Sequence, residues 1–439
     1  MNRRHLLANS GLLAMAAIAG CLAPIQEGVK AGSDGFGPTI AEPPGVSDSE
    51  LATLVEGNTT FALDLHRYAS EGETSNLFIS PYSISVALAM TYAGARGSTR
   101  EEMGEVLNFT LGEDVHQTFA ELYFELESRE TTVDEFARED EDDDEDPEVD
   151  AFKLNVANAL WGNEGYPFDE DYIHLVERYY GAGFKEANFT GDPDGERIRI
   201  NDWVAAQTED RIDELLEEGS ITPATELVLT NAIYFMASWL DEFDPEDTED
   251  GEFTNLDGST ATVPLMQQRI RTNYASVDGA RAVELPYVGE EVSMVLILPD
   301  QGRFETFEQN LDSDHLNHIF DALGDSVGEL VLPSFEFETS LSLGEALADL
   351  GMPTAFQPGA DFSGIATGDE AGLWIDDVYH DAFISLDEEG TEAAAATAVM
   401  MVTSAPPDWG ELRFDRPFIF CIRDRPTDAI LFLGRVCDL

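Results

Sequence analysis

The feature that most limits the possible folds of this chain is a series of short apolar runs. They are interspersed with helical segments, but they do not follow a regular strand–helix–strand order. The runs predict strands, because apolar and polar side chains alternate or the whole run is apolar. They are "ELVLTNAIYF", "AVELPYV", "SMVLILP", "GELVLPSFEFE", "AFISL", "PFIFCI" and "AILFLGRV". Helical spacing appears in "DEDYIHLVERYYGA", "RINDWVAAQTEDRIDELLE" and "LSLGEALADLG". We therefore expect a mixed α+β protein with large sheets.

Ordered patterning is predicted to begin near Ser49. The segment "SELATLVEGNTTFALDLHRYAS" has helical spacing, and a second helix, "SPYSISVALAMTYAGA", starts with Pro81 directly after Ser80. Ser before Pro at the first helical position is a favourable helix start. Residues 21–48 are rich in Gly and Pro and lack periodicity, so we expect a flexible tether there.

The charge balance is extreme. The chain has 88 acidic and 23 basic residues, a net charge of −65, and its only lysines are Lys30, Lys153 and Lys185. At low salt such repulsion destabilises a compact state, whereas in molar salt the screening length falls to about 3 Å. We expect a salt-adapted protein of haloarchaeal type, and nucleic acid or a heparin-like polyanion is excluded as a partner.

The N-terminus resembles an export signal. Arg3 and Arg4 precede an apolar stretch that ends in Ile18-Ala19-Gly20-Cys21, which is typical of a twin-arginine signal with a lipoprotein cleavage site. We expect a signal peptide at 1–20 and a lipid on Cys21, so that the protein lies on the extracellular face of the membrane. The alternative is a plain export signal, an incidental Cys21 and a secreted protein.

The remaining cysteines, Cys421 and Cys437, lie on two runs that predict one hairpin around "RDRPTD". Pairing about that turn places the two thiols out of register. We expect free, buried and inert thiols, although an exported protein permits a disulfide.

No catalytic or metal motif stands out. The chain lacks G-x-S-x-G, H-E-x-x-H and a P-loop. His315 and His318 lie one helical turn apart but lack further ligands, so we interpret them as a solvated helix face. A triad that uses His380 has no sequence support. The acidic run 138–150 lacks the Gly and terminal Glu of an EF-hand loop, and we expect a solvated insertion.

Three sequons are present, and they begin at Asn58, Asn108 and Asn188. Export makes N-glycosylation possible, but motifs this short also occur by chance.

Residues 388–402, "EEGTEAAAATAVMMV", combine two conflicting preferences. Ala is the best helix former, yet the run follows the alternating "HDAFISL" and precedes the loop "SAPPDWG". Proline is absent from 388–405, so every backbone N–H there is able to join a sheet. The pattern predicts a segment that tolerates both exposure and burial as a strand. The alternative is an alanine-rich surface helix.

Longer segments resemble the serpin family, in the order that the family has them. The resemblance covers about Ser49 to Leu439. The matching segments are "SNLFISPYSISVALAMTYAGARGSTREEM", "LVLTNAIYFMASWLDEFDPEDT", "VELPYVGEEVSMVLILP", "LADLGMPTAFQPGADFSGI" and "LRFDRPFIFCI". Two departures are the acidic "LPSFEFE", where the family usually has basic residues, and the insertion 138–150.

The resemblance implies one domain, 49–439, rather than the two or three that length suggests. It also implies three β-sheets, about eight or nine helices and an exposed reactive-centre loop at 388–411. Members of the family trap serine proteases: the cleaved loop inserts into the main sheet and holds the acyl-enzyme. We expect a monomer that is not an enzyme and uses no cofactor or metal.

Site residues follow from the same resemblance. Trp239 matches the family's breach tryptophan. The polar shutter cluster corresponds to Ser80, Ser83, Asn231 and His380. The hinge corresponds to Glu388, Glu389, Gly390, Thr391, Glu392, Ala393, Ala394, Ala395 and Ala396. Within the hinge we expect Thr391 and alternate residues after it to face the core.

Counting forward from Gly390 at the family's spacing gives Ser404–Ala405, whereas counting back from Phe414 gives a position about two residues later, at Pro406. A bond beside Pro406 is a poor protease substrate, so we expect the reactive bond at Ser404–Ala405, with Thr403–Ser404 as second choice. Small residues there suit a subtilisin-like or elastase-like protease. We therefore predict a suicide-type inhibitor of an extracellular serine protease. The alternatives are a non-inhibitory binding or chaperone protein with the same fold, and a hydrolase that uses His380.

Overall fold

The computed structural model describes residues 39–139, 152–181, 184–367, 372–391 and 406–439. These residues fall within one compact unit, Phe36–Leu439. The predicted signal peptide, most of the tether, most of the insertion 138–150 and loop residues 392–405 lie outside the described residues. In the part of the chain that is described, no helix is both long and apolar enough to cross a membrane.

The helices begin where the sequence offers caps. Ser47 and Glu50 form a capping box on the first helix, and the Ser80 hydroxyl accepts from Ser83 N at the start of the second. The α-helices within the described ranges are α1 (Asp48–Ser70), α2 (Pro81–Gly94), α3 (Gly97–Val106), α4 (Val115–Glu139), α5 (Glu170–Tyr180), α6 (Pro193–Gln207), α7 (Phe304–Asn310), α8 (Ser313–Ala322) and α9 (Gly344–Leu350).

The strands form two hydrogen-bonded sheets in the described residues. The strands are β1 (Leu77–Ile79), β2 (Phe152–Asn163), β3 (Phe184–Ala187), β4 (Leu227–Ser238), β5 (Glu249–Thr254), β6 (Thr260–Val277), β7 (Ala280–Pro286), β8 (Val292–Pro299), β9 (Gly324–Pro333), β10 (Phe335–Ser342), β11 (Tyr379–Leu386), β12 (Gly390–Thr391), β13 (Asp408–Arg413), β14 (Phe418–Asp424) and β15 (Ile430–Val436). The predicted α+β class is confirmed.

The six-stranded sheet, called the main sheet below, has the order β10-β11-β4-β2-β3, with β12 paired to β4. The other sheet has nine strands, β1-β15-β14-β8-β7-β6-β9-β13, with β5 paired to β6. Three sheets were expected, and the long strand β6 explains the difference. Its first part pairs with β5 and β9 and its last part with β7, so two smaller sheets become continuous through one strand.

The main sheet is covered on both faces. The fully buried helix α2 contacts β2 and β4 on the inner face, which belongs to the large apolar core. On the outer face, α6 and the segment that follows it pack Ile212, Leu216 and Ile221 against Val228 and Ala232 of β4. A helix that is apolar on all sides, as α2 is, is stable only when it is buried in this way.

Two predicted elements end earlier than expected. The predicted helix 199–217 stops at Gln207, because Thr208 turns the chain and Glu209 and Asp210 both have positive φ angles, 52° and 61°. The predicted strand "GELVLPSFEFE" is divided at Ser334 into β9 and β10, which belong to different sheets. Pro333 and Ser334 at the junction were the available signal, because proline cannot donate a sheet hydrogen bond and so favours the end of a strand.

Candidate functional site

The boundary between β4 and β11, called the seam below, is only partly closed. The two strands are parallel and pair from Tyr379–Ala382 to Thr230–Ile233. Beyond Ala382, β11 continues along β10 as far as Leu386 but no longer pairs with β4. The main sheet therefore diverges in its middle, between two long strands.

A second segment enters the seam from the diverging end. Gly390 and Thr391 form β12, which pairs antiparallel with Ser238 and Ala237 of β4. Because β4 and β11 are parallel to each other, a strand that continued β12 into the seam would be antiparallel to both neighbours. Gly390 and Thr391 thus lie beside β4 at the diverging end of the seam.

The side chain of Thr391 faces the inner side of the sheet. It is 2% exposed, and its hydroxyl lies 3.0 Å from the hydroxyl of Tyr287. Tyr287 in turn stacks on Trp239, with ring centroids 4.6 Å apart and an interplanar angle of 7°. Burial raises the pKa of Tyr287, so it remains a neutral phenol at this contact.

Trp239 is buried at the diverging end of the seam, where the resemblance placed the breach. Its Nε1 donates to Asp387 O at 3.1 Å, and its backbone N–H donates to Glu389 O at 3.0 Å. Phe243 N–H donates to Glu388 O at 3.0 Å. The end of β4 therefore holds the backbone of the turn that precedes β12.

Asp387, which sequence reasoning missed, organises that turn. Its carboxylate accepts from Glu389 N at 3.0 Å and Gly390 N at 3.2 Å, and its own N–H donates to Gly390 O at 3.0 Å. An Asp whose carboxylate accepts from the backbone N–H two residues later forms an Asx turn, and Asp387, three residues before Gly390, was a signal available in the sequence. The Glu388 carboxylate accepts from the Thr248 hydroxyl at 2.6 Å and so ties the turn to the segment after β4.

The predicted shutter residues converge at the closed end of the seam. The Nδ1 atom of His380 lies 2.6 Å from Asn231 Oδ1, and its Nε2 accepts from Ser80 N at 3.2 Å. Asn231 Nδ2 donates to Ser83 Oγ at 2.6 Å. This cluster joins β4, β11 and the start of α2.

Sequence reasoning missed a fifth member of the cluster, Asn158 on β2. Its Oδ1 accepts from Asn231 Nδ2 at 2.6 Å and from Ser83 Oγ at 3.3 Å, and its Nδ2 donates to Ser83 O at 3.3 Å. The available signal was an amide side chain in the middle of an apolar strand, since such a group needs a buried partner.

The His380 ring is a neutral structural group. Burial lowers the pKa of His380 to about 3, and its two ring nitrogens are occupied by Asn231 Oδ1 and the Ser80 N–H. The Ser80 hydroxyl donates to Leu431 O at 2.7 Å rather than to His380. The geometry of a hydrolytic triad, in which a histidine receives the proton of an accessible serine, is not formed here.

The other candidate residues do not form a common site. His315 contacts Asp312 and His318 contacts Asp278, each at 2.7 Å on an exposed surface, and no metal-binding cluster of His, Cys, Asp and Glu occurs among the described residues. Cys421 and Cys437 are free and buried, and burial raises the pKa of each to about 12.

Of the three sequons, Asn58 is buried, Asn108 is half-buried and Asn188 is exposed. The hinge residues 392–396, the reactive bond at 403–405 and Cys21 lie outside the described residues.

Comparisons with known proteins identify the family of the chain. The sequence model of the family described as serpin (serine protease inhibitor) matches residues 56–439. An uncharacterised serpin-like protein of Thermococcus kodakarensis is 40% identical over 397 residues, which cover 90% of this chain and 87% of that protein. Serpin B6 of Macaca fascicularis is 36% identical and covers 88% of this chain and 99% of its own. The solved structure of the thermophilic serpin tengpin in the native state has a TM-score of 0.75 at 27% identity, and covers 92% of this chain and 97% of its own.

Proposed function

Because the chain belongs to the serpin family, we propose that it is a suicide-type inhibitor of an extracellular serine protease. One observation carries the proposal: the seam is open at the end where β12 already pairs with β4, while β11 has left β4 beyond Ala382. A sheet in this state has a place for one further central strand.

Counting on from the pair Thr391↔Ala237 assigns the inserted register. Ala395 comes opposite Ile233, Thr397 opposite Asn231, and Met401 opposite Leu227 at the start of β4. Directly opposite residues share a face of a sheet, so the inward set that continues from Thr391 consists of small side chains and then of the apolar Val399 and Met401. The inserted strand thus delivers Thr397 to the level of the Asn231–His380 contact.

Insertion breaks the seam pairs and the His380–Asn231 hydrogen bond, and replaces them with two new ladders. At about 1 kcal/mol net for each hydrogen bond, a dozen inserted residues release on the order of 10 kcal/mol. This free energy is enough to drive insertion of the cleaved loop together with translocation of the covalently bound protease.

The covalent step is an acyl transfer. The protease serine attacks the carbonyl carbon of Ser404, an ester forms, and the bond to Ala405 breaks as the new amine takes the proton. Small residues at the bond favour a subtilisin-like or elastase-like enzyme. Insertion then distorts the protease before water hydrolyses the ester.

The test is to mix the purified protein with subtilisin in molar KCl. We expect a complex that survives boiling in SDS, and a C-terminal peptide that begins at Ala405 by mass spectrometry. Clean cleavage with no complex and no rise in melting temperature contradicts inhibition and favours a non-inhibitory binding protein with the same fold. A shift of the cut to Thr403–Ser404 changes only the assigned bond.

We also propose export, a lipid on Cys21 and adaptation to high salt, and these proposals rest on the N-terminal residues and on the net charge of −65. The archaeal relatives, from Thermococcus and Methanosarcina, do not bear on salt adaptation. If Cys21→Ser leaves the protein bound to cells, the lipid anchor is wrong. If circular dichroism is unchanged on dilution from molar KCl, salt adaptation is wrong.

A further inference from the structure

Asp381 is a buried acid at the closed part of the seam. It lies beside His380 on β11, but on the opposite, outer face of the main sheet. Its backbone pairs with Ala232 of β4 on one side and with Ser340 of β10 on the other. Asp381 is 4% exposed, since this face is covered by the segment that follows α6.

The surroundings of Asp381 do not compensate a negative charge. Glu338 faces it from β10 and Glu217 from the covering segment, and both are acidic. Tyr379 lies on the same face of β11, and the Arg211 guanidinium lies over the Phe383 ring at 5.8 Å. The charges of Glu338 and Glu217 therefore disfavour a carboxylate at Asp381.

Asp381 forms no ion pair within the described ranges, and Ser340 is its hydroxyl partner. Burial raises the pKa of Asp381 to about 7, and Glu338 and Glu217 add to the rise while the Ser340 hydroxyl opposes it. A carboxyl group in such a place is stable when protonated and costly when ionised.

We propose that Asp381 sets how readily the main sheet opens: it is neutral while β11 pairs with β4, and it ionises when the two strands part and water reaches it. The proposal rests on the proposed function, because opening of the seam is the step that admits the loop. Opening by this route releases one proton from Asp381.

The pH dependence of sheet opening follows from the different pKa values of Asp381 in the closed and open sheets. In the open state the carboxyl returns towards its ordinary pKa of 3.8, whereas the closed state holds it at about 7. Between these values the closed sheet binds a proton that the open sheet does not, so opening becomes easier as pH rises, by up to about tenfold per pH unit. Above about pH 7 the effect levels off, because both states are then ionised.

His380 titrates in the opposite sense. Its pKa rises from about 3 towards 6.5 once the ring is hydrated, so its contribution favours opening as pH falls. In the wild-type protein the two contributions offset each other over much of the acid range. The contribution of Asp381 can therefore be measured only as the ratio of the insertion rates of the wild type and an Asp381 variant, because both proteins contain His380.

The experiment measures the rate at which a synthetic peptide of residues 392–401, "EAAAATAVMM", inserts into the uncleaved protein in molar KCl at pH 5.5–7.5. Insertion is followed by native electrophoresis and mass spectrometry. Asp381→Asn removes the ionisation at nearly constant shape, and Asp381→Ser is a second neutral variant. Glu336→Gln, an exposed residue on the outer face of β10, is the matched control for the change in net charge.

We expect both neutral variants to insert the peptide more slowly than the wild type at pH 7.5. The ratio of wild-type to variant rates should rise about 20-fold from pH 5.5 to pH 7.5. The ratio of wild type to Glu336→Gln should stay flat. A flat ratio for both Asp381 variants overturns the proposal.

Formation of the subtilisin complex at pH 7.5 is measured in parallel. If the wild type forms the complex while the ratios of wild-type to Asp381-variant insertion rates do not change with pH, only the proposed role of Asp381 is wrong and the proposed function stands. If no protein inserts the peptide and no complex forms, loop insertion itself is refuted, and the role of Asp381 with it.

Discussion

Asn158→Ala tests whether the shutter cluster is a latch on the seam or only a satisfied polar core. The substitution removes the acceptor of Asn231 Nδ2 at 2.6 Å and two weaker contacts with Ser83 at 3.3 Å. Asn158 lies on β2, so neither strand of the seam is changed. Asn231, which contacts His380, loses one of the two acceptors of its Nδ2 and keeps the other, Ser83 Oγ.

The magnitude follows from these contacts. One buried donor that loses its partner costs about 1–3 kcal/mol, and the weaker contacts bring the total to about 2–4 kcal/mol. For the folded domain, 49–439, this loss lowers the melting temperature by about 2–5 °C. If half of the cost is relieved when the strands part, opening accelerates about 5- to 30-fold, because 1.4 kcal/mol corresponds to a factor of about ten.

The assay is insertion of the peptide 392–401, together with thermal unfolding. Asn201→Ala is the matched control: Asn201 is also a buried amide, it contacts Leu216 N and Leu216 O at 2.9 Å, and it lies on α6 away from the shutter cluster. We expect both variants to lose stability but only Asn158→Ala to insert the peptide faster. Equal acceleration in the two variants would refute the latch.

Three further predictions concern single groups. Thr391→Arg should be cleaved by subtilisin without forming the SDS-stable complex, because a charged side chain cannot be buried against Tyr287, whereas Thr391→Ser should retain the complex. The free energy of unfolding should fall by about 2 kcal/mol more for the wild type than for His380→Asn between pH 7 and pH 5, since only the unfolded chain protonates His380 there; equal falls contradict the buried neutral ring. Cys421 and Cys437 should react with a thiol reagent only after unfolding, because burial raises both pKa values to about 12, and rapid reaction of the native protein contradicts this.

Much of the fold could be predicted from local pattern. The cap at Ser80 and Pro81 fixed the start of α2, and the apolar runs of β4, β8, β14 and β15 were recognised because each is buried over most of its length. The long strand β6 was not predicted. Its burial alternates irregularly as it passes from one set of partners to another, so no single period marks it.

The candidate site could be predicted only in part. Ser80, Ser83, Asn231 and His380 were named together through the resemblance, and the structure brings them together. Asn158 and Asp387 were missed although each carried a local signal, because nothing in the sequence indicates which distant strand an amide or a carboxylate will meet.

By itself, the sequence determined the segments able to form strands and helices, the helix caps, the excess of negative charge, and a proline-free alanine run that tolerates exposure and burial. Each of these depends on neighbouring side chains or on composition, and so can be inferred along the chain. Only the tertiary structure decided that β11 leaves β4 after Ala382, that β12 enters the seam at this same diverging end, and that Asp381 lies buried without an ion pair among the described residues. These features depend on the register between strands about 150 residues apart, which is set by packing across the whole sheet rather than by any local preference.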